Sequence, residues 1–124
     1  MKAIRGVFEV AIKVKNLERS EEFYLGILGL QEGFRDERRR WNFLRVSGSA
    51  GMVVLQEDTG DWPLQHFAFT TEESDIDPAA AELERKGVKT AGPVTHDWMP
   101  AKSLYFEDPD GHQLELCAPL ERDG

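Results

Sequence analysis

The sequence predicts an α+β fold made of two tandem βαβββ modules, about 4–58 and about 63–119, forming one domain. Three observations predict it. Strand-like and helix-like runs occur in the same order twice. Anchors then repeat at a nearly constant offset: Glu9-Val10-Ala11-Ile12 lies 57 residues before His66-Phe67-Ala68-Phe69, Gly29 lies 58 before Gly87, and Gly51 lies 60 before Gly111. Finally, Ser103–Leu116 reads as two strands joined by Asp108-Pro109-Asp110-Gly111, where Pro fixes φ and Gly supplies a positive φ.

The elements follow in order. Residues 6–14 are rich in β-branched and apolar side chains and read as a strand. Asn16 can cap the helix after it; Phe23, Ile27, Leu28 and Leu30 form its apolar stripe, and Gly29 is its stop. Strand-like runs follow near 31–38, 41–47 and 51–57, with Gly48-Ser49-Ala50-Gly51 as a turn and Thr59–Pro63 as a linker. The pattern restarts with a strand over 64–70. Asp77-Pro78 starts the second helix, Ala80 and Leu83 give its apolar side, and Gly87 ends it. Strands near 88–92, 102–107 and 112–118 complete the second module.

Composition narrows the function classes. A chain of 124 residues, 40% hydrophobic, is large enough to bury a core. Its formal net charge of −8 argues against nucleic acid and anionic membrane as partners. The one cysteine excludes an intrachain disulfide and suits a reducing cytoplasm. No apolar stretch resembles a signal peptide or reaches membrane-spanning length, so a cytoplasmic protein is expected. The basic run Arg38-Arg39-Arg40 reads as a solvated hairpin edge, with an anion site as the other reading.

Glu115 stands out. It lies between Leu114 and Leu116 in an apolar strand, where an unpaired carboxylate is costly to bury. Such a group needs a cation, a hydrogen-bond network or solvent in front of it, which makes Glu115 a metal-ligand candidate.

The duplicated βαβββ unit, Phe23-Tyr24 with Leu28-Gly29-Leu30, His66-Phe67-Ala68-Phe69, and Tyr105 through Glu115 together resemble the vicinal oxygen chelate superfamily. That superfamily includes glyoxalase I, extradiol dioxygenases, methylmalonyl-CoA epimerase, fosfomycin-resistance enzymes and bleomycin-binding proteins. The resemblance implies a cupped mixed sheet around one divalent metal, with ligands from the first and last strand of each module. Carried over, these positions are Glu9, Val54, His66 and Glu115. His66 and Glu115 match the pattern, Glu9 replaces a common histidine, and Val54 cannot ligate. A register shift of two would put Gln56 in the place of Val54.

Glu9, His66 and Glu115 form an O, N, O set on three strands. Three protein ligands leave positions open for water or substrate, and the donors fit Fe²⁺, Mn²⁺, Ni²⁺ or Zn²⁺. The plainer readings are a hydrogen-bonded core histidine and a solvated glutamate. The resemblance gives Tyr105 a place against substrate, where a phenol can donate a hydrogen bond or a proton; its plainer reading is a packing pair with Phe106. Strand alternation assigns Ala11 and Lys13 to the face of Glu9, Met52 and Gln56 to that of Val54, Ala68 and Thr70 to that of His66, and Gln113 and Cys117 to that of Glu115. Ala11, Val54, Gln56, Ala68 and Gln113 are thus candidate pocket residues. Trp98, in Trp98-Met99-Pro100, is either an apolar flap or a packed loop. Trp41, Phe43 and Arg45 share a strand face of unassigned direction. His112 alternates away from Glu115, His96 reads as a solvated loop residue, and Cys117 reads as a small core residue.

No branch of the superfamily matches cleanly. Ala11 stands where fosfomycin chemistry expects a small hydroxyl residue. Val54 removes the fourth ligand of glyoxalase I and of the epimerases. Glu9 replaces a histidine of the extradiol dioxygenases, and no second histidine base is evident from the sequence. The expectation is a metal-dependent enzyme on an oxygenated small molecule, a lyase, isomerase or ring-cleavage dioxygenase, with Tyr105 and Glu115 in catalysis. The resemblance also implies a homodimer. The alternative is a metal-free ligand-binding protein of the bleomycin-resistance type, for which Trp41, Trp62 and Trp98 would line a groove.

Overall fold

A computed structural model describes residues 1–120. The chain divides into two compact units, Met1–Pro63 and Leu64–Gly124. Each holds one four-stranded mixed sheet, so the fold is α+β as the sequence predicts.

In the first unit the strands are β1 (Glu9–Val14), β2 (Gln31–Asp36), β3 (Trp41–Arg45) and β4 (Met52–Glu57), in the order β1-β4-β3-β2. β1 runs parallel to β4, and the other neighbours are antiparallel. Alternation on β1 turns Ile12 and Val14 inward, where they are buried with Leu44, Val53 and Leu55. Helix α1 (Leu17–Glu21) covers this face and runs on as a π-helical stretch over Glu22–Ile27. Leu17, Phe23 and Tyr24 are its buried side chains.

Two polar side chains start α1. Asn16 accepts from the Arg19 N–H at 2.9 Å, and Glu57, at the end of β4, accepts from the Leu17 N–H at 2.8 Å. The apolar stripe predicted one helix through Leu28; the Leu28 N–H instead reaches back five residues to the Phe23 carbonyl at 2.9 Å.

The second unit repeats the plan with β5 (His66–Thr70), β6 (Thr90–His96), β7 (Ala101–Glu107) and β8 (Gln113–Pro119), in the order β5-β8-β7-β6. Helix α2 (Glu73–Arg85) buries Ile76 and Leu83 and contacts β6, β7 and β8. It begins four residues before Asp77: Glu73 and Asp75 occupy the first turn, where carboxylates suit the helix dipole, and Pro78 falls within the helix. Its end is as expected. Gly87 takes φ +84°, the Val88 N–H reaches Leu83 O at 2.9 Å, and the Gly87 N–H reaches Glu84 O at 3.0 Å.

The β7–β8 hairpin matches the sequence reading. The Asp108 carboxylate accepts from the N–H groups of Asp110 and His112, both at 2.9 Å, and so holds the turn. His112 is fully buried, and its Nδ1 accepts from the Gln65 N–H at 2.9 Å. β6 differs. The strand expected near 88–92 runs on: the register only shifts between Ala91 and Val94, and β6 continues to His96.

The β2–β3 hairpin of the first unit is held to α1 by arginines. Arg35 pairs with Glu21 and Glu18, each at 2.6 Å, and with Glu37. Arg40 pairs with Glu18 at 2.5 Å, Glu37 at 2.8 Å and Glu57 at 3.1 Å. This network holds Arg40 at φ +60°, a region unfavourable for a residue with a Cβ. Hydrogen bonds from Arg40 hold the Glu57 and Glu18 carboxyls below their ordinary value of 4.5.

A folded-state carboxyl pKa held down stabilises the fold above the ordinary value, and the gain is lost as pH falls through the lowered value. Arg40→Gln is therefore expected to lower the melting temperature at pH 7, with the gap to wild type narrowing as pH falls below about 4.5. Arg40→Gly loses the same ion pairs but relieves the backbone strain, and should melt above Arg40→Gln. Thermal unfolding of the three proteins across pH checks both orders.

Candidate functional site

One face of the second unit's sheet gathers polar side chains. β5 contributes His66, Ala68 and Thr70, and β8 contributes Gln113, Glu115 and Cys117. β7 contributes Ser103 and Tyr105, with Tyr105 opposite Glu115. The other face carries Leu104, Phe106 and Leu114, all buried. His66 lies opposite Gln113, so Glu115 is its diagonal neighbour on the adjacent strand.

Glu115 is only 8% exposed and has partners at both oxygens. The Ser103 hydroxyl donates to Oε2 at 2.6 Å, and His66 Nε2 lies 3.1 Å from Oε1. His66 Nδ1 lies 3.0 Å from the Gln113 backbone carbonyl. A carbonyl only accepts, so Nδ1 carries the proton and donates. The other nitrogen, Nε2, then faces a carboxylate oxygen, and two lone pairs so placed need a proton or a cation between them.

This donor set fits a divalent metal. Two ligands each about 2.1 Å from a cation and at right angles lie about 3 Å apart, and the observed separation is 3.1 Å. Ligating histidines donate their second N–H to a carbonyl or carboxylate, and ligating carboxylates are themselves hydrogen-bonded. Gln113 and Ser103 play those parts. Among the described residues, no third His, Cys, Asp or Glu gathers with this pair within the unit.

A further histidine stands on the same face. His96 Nε2 lies 3.1 Å from the Tyr105 hydroxyl, and the His66 and Tyr105 ring centroids are 6.5 Å apart. The solvated-loop reading of His96 is thus corrected: it closes β6, is half-buried and meets Tyr105. A second histidine thus lies on this face, which the sequence did not make evident. The strand was read as ending too early, and Thr95-His96 was the overlooked signal. Ser103, two residues before Tyr105 and therefore on its face, is a partner of Glu115 that the sequence did not single out. Trp98 is 79% exposed in the β6–β7 turn, with its ring 5.7 Å from that of His96.

The remaining predicted residues lie in the first unit. Glu9 and Ala11 are exposed on one face of β1. Glu9 pairs with Met52 and Ala11 with Val54, just as His66 pairs with Gln113 and Ala68 with Glu115. Val54 is therefore the counterpart of Glu115, and Gln56, opposite Lys13, is that of Cys117. Val54 is buried, so this position holds an aliphatic side chain.

Removing the Ser103 hydroxyl leaves a buried carboxylate oxygen without its donor. Ser103→Ala is expected to cost about 1–3 kcal/mol in urea unfolding. Tyr105→Phe, at a half-buried hydroxyl, should cost less.

The chain is similar to known proteins over nearly its whole length. A crystal structure of integron cassette protein HFX_CASS4, from the mobile metagenome of the Halifax Harbour sewage outfall, is 59% identical. It superposes with a TM-score of 0.90, covering 93% of this chain and 99% of that one. The uncharacterized protein YwkD of Bacillus subtilis is 32% identical, over 91% of this chain and 96% of YwkD. Metallothiol transferase FosB of Staphylococcus saprophyticus is 28% identical, over 91% of this chain and 76% of FosB. The family model described as Glyoxalase/Bleomycin resistance protein/Dioxygenase superfamily matches residues 6–116, and the chain belongs to that superfamily.

Proposed function

We propose that the chain is a metal-dependent enzyme that binds a small molecule through two adjacent oxygens. His66 and Glu115 hold one divalent cation, with the remaining positions open to water or substrate. The observation that carries this reading is the His66–Glu115 pair, with both outer atoms already satisfied by Gln113 and Ser103. Glu9 occupies the repeat position equivalent to that of His66, the first residue of β1 as His66 is of β5. A bound divalent cation would supply Lewis acidity, polarising substrate oxygens and stabilising an enolate or oxyanion.

The chain's own groups do the rest. Gln113 O fixes the His66 tautomer, so Nε2 is the nitrogen available for ligation. Ser103 holds the Glu115 carboxylate in one rotamer. Tyr105 presents a hydroxyl that hands a proton to, or takes one from, a substrate oxygen, with His96 as its relay partner. This pairing suits reactions with a proton transfer at oxygen: a lyase, an isomerase or a ring-cleaving dioxygenase. Ala11, without a hydroxyl, weighs against fosfomycin chemistry despite the FosB likeness. In this reading the protein acts in the cytoplasm as a homodimer.

Calorimetric titration of metal-stripped protein with Mn²⁺, Fe²⁺, Ni²⁺ and Zn²⁺ is the test. One ion per chain is expected, with binding lost in Glu115→Gln and His66→Ala. Ser103→Ala should weaken it about 10- to 100-fold, and Tyr105→Phe should leave it unchanged. If wild type binds none of the four, the reading gives way to a metal-free ligand-binding protein.

A further inference from the structure

The first unit carries a groove of about 340 Å³ lined by Gly33, Phe34, Arg39, Phe43, Arg45 and Met52. Its volume is within the range of small-molecule sites. Phe34 and Phe43 form its apolar floor, with ring centroids 6.1 Å apart, and Trp41 continues the cluster 6.3 Å beyond Phe43. Phe34 is 60% exposed, a large apolar surface left open.

The groove also has a charge. Arg39 is fixed and neutralised: its Nε donates to Asp36 at 2.7 Å, and its guanidinium lies 4.3 Å from the centroid of the Trp41 ring. Arg45 differs. Arg35, Arg39 and Arg40 of the same hairpin are tied to carboxylates, whereas the Arg45 guanidinium has no hydrogen-bond or ion-pair partner among the described residues. In a chain of net charge −8, no carboxylate lines this groove. Glu32, opposite Leu44, turns to the other face and accepts from Asn42, so the nearest acid on this face by register is Glu9, which shares a row with Met52 and Arg45, with β4 between it and β3.

Gly33 sits at the β2 bulge, where an added Cβ would lie 2.8 Å from the Phe43 carbonyl oxygen, so the close approach of β2 to β3 requires glycine here. The Arg45 stem passes over it, its Cγ at ordinary contact distance from that position.

We propose that this groove binds a small carboxylate with a flat apolar body, the body on Phe34, Phe43 and Met52 and the carboxylate on the Arg45 guanidinium. A guanidinium presents paired donors that match a carboxylate, and the rings beneath favour a flat, apolar partner. The site lies wholly within the first unit and does not rest on the His66–Glu115 reading.

The probes are 2-naphthoate, neutral 2-naphthylmethanol and cationic 2-naphthylmethylammonium, titrated into the full chain and followed by amide NMR shifts and calorimetry. Naphthoate is expected to bind once per chain, at least tenfold tighter than the alcohol, with the ammonium weakest. Shifts should centre on β2, β3 and β4. Arg45→Gln should bring naphthoate to the level of the alcohol, and Phe34→Ser should weaken both alike. Both side chains are exposed, so neither variant threatens the fold. The result should be the same with a chelator present, which separates it from metal binding at His66 and Glu115. Equal affinity for acid and alcohol, undiminished binding in Arg45→Gln, shifts centred elsewhere, or no saturable binding in the millimolar range would each overturn the proposal. So would a concentration-dependent self-association that buries Phe34 and excludes the probes.

Discussion

The parallel pairing of first and last strand in each unit is the constraint on which the rest depends. Parallel neighbours cannot be joined by a tight turn, so a helix and two further strands must run between them. That places β5 beside β8, brings His66 opposite Gln113, and makes Glu115 its diagonal neighbour. A slip of one residue would turn Glu115 onto the face of Leu104, Phe106 and α2, where a carboxylate has no partner. The apolar alternation of Leu114, Leu116 and Ala118 forbids that slip, because it would turn these side chains out of the core. Packing on one face therefore fixes the chemistry on the other.

The same scaffold has been used for opposite ends. In the second unit the site face is polar, with a buried carboxylate held by Ser103 and His66. In the first unit the equivalent position is Val54, and the sheet face runs apolar through Phe43 to Phe34. Its acids and bases are mostly gathered elsewhere, on the hairpin and α1, where Arg35 and Arg40 bind Glu18, Glu21, Glu37 and Glu57. A repeat with an aliphatic side chain at one position can thus supply an apolar surface while its twin carries the polar cluster.

Much of this was legible in the sequence because strand alternation and repeat offset are strong, local signals. They group Ser103 with Tyr105, Gln113 and Cys117 with Glu115, and Ala68 and Thr70 with His66, strand by strand; the ladder joins the three groups on one face. The pairing register of Val54 was less secure, since the loop before His66 obscures the alignment; only the ladder shows Val54 opposite Ala11 as Glu115 is opposite Ala68. His96 was missed for a physical reason. Gly92-Pro93 carries the ordinary mark of a strand end, but a register shift absorbs it and the strand resumes through Val94 to His96. The start of α2 was misplaced in the same way: Pro78 marks a first turn by statistics, whereas Ile76 is already buried and fixes the helix earlier. Arg45 had no signature at all, because its lack of a partner is a property of the assembled hairpin.

The hydrogen-bond count at His66 limits what the site can be. Nδ1 is committed to the Gln113 carbonyl, and Ser103 is committed to Glu115 Oε2. Only Nε2 and Oε1 remain, 3.1 Å apart, with room between them for one proton or one cation but not both. In an imidazolium–carboxylate pair the gap is closed by the proton, and the site is an ion pair between the exposed His66 ring and the buried Glu115 carboxylate, with no reactive lone pair. With a cation as occupant, the proton must leave, so ligation and proton release are one event. His96 Nε2 meets the Tyr105 hydroxyl and His66 Nε2 meets Glu115, so the two histidines of this face have separate partners.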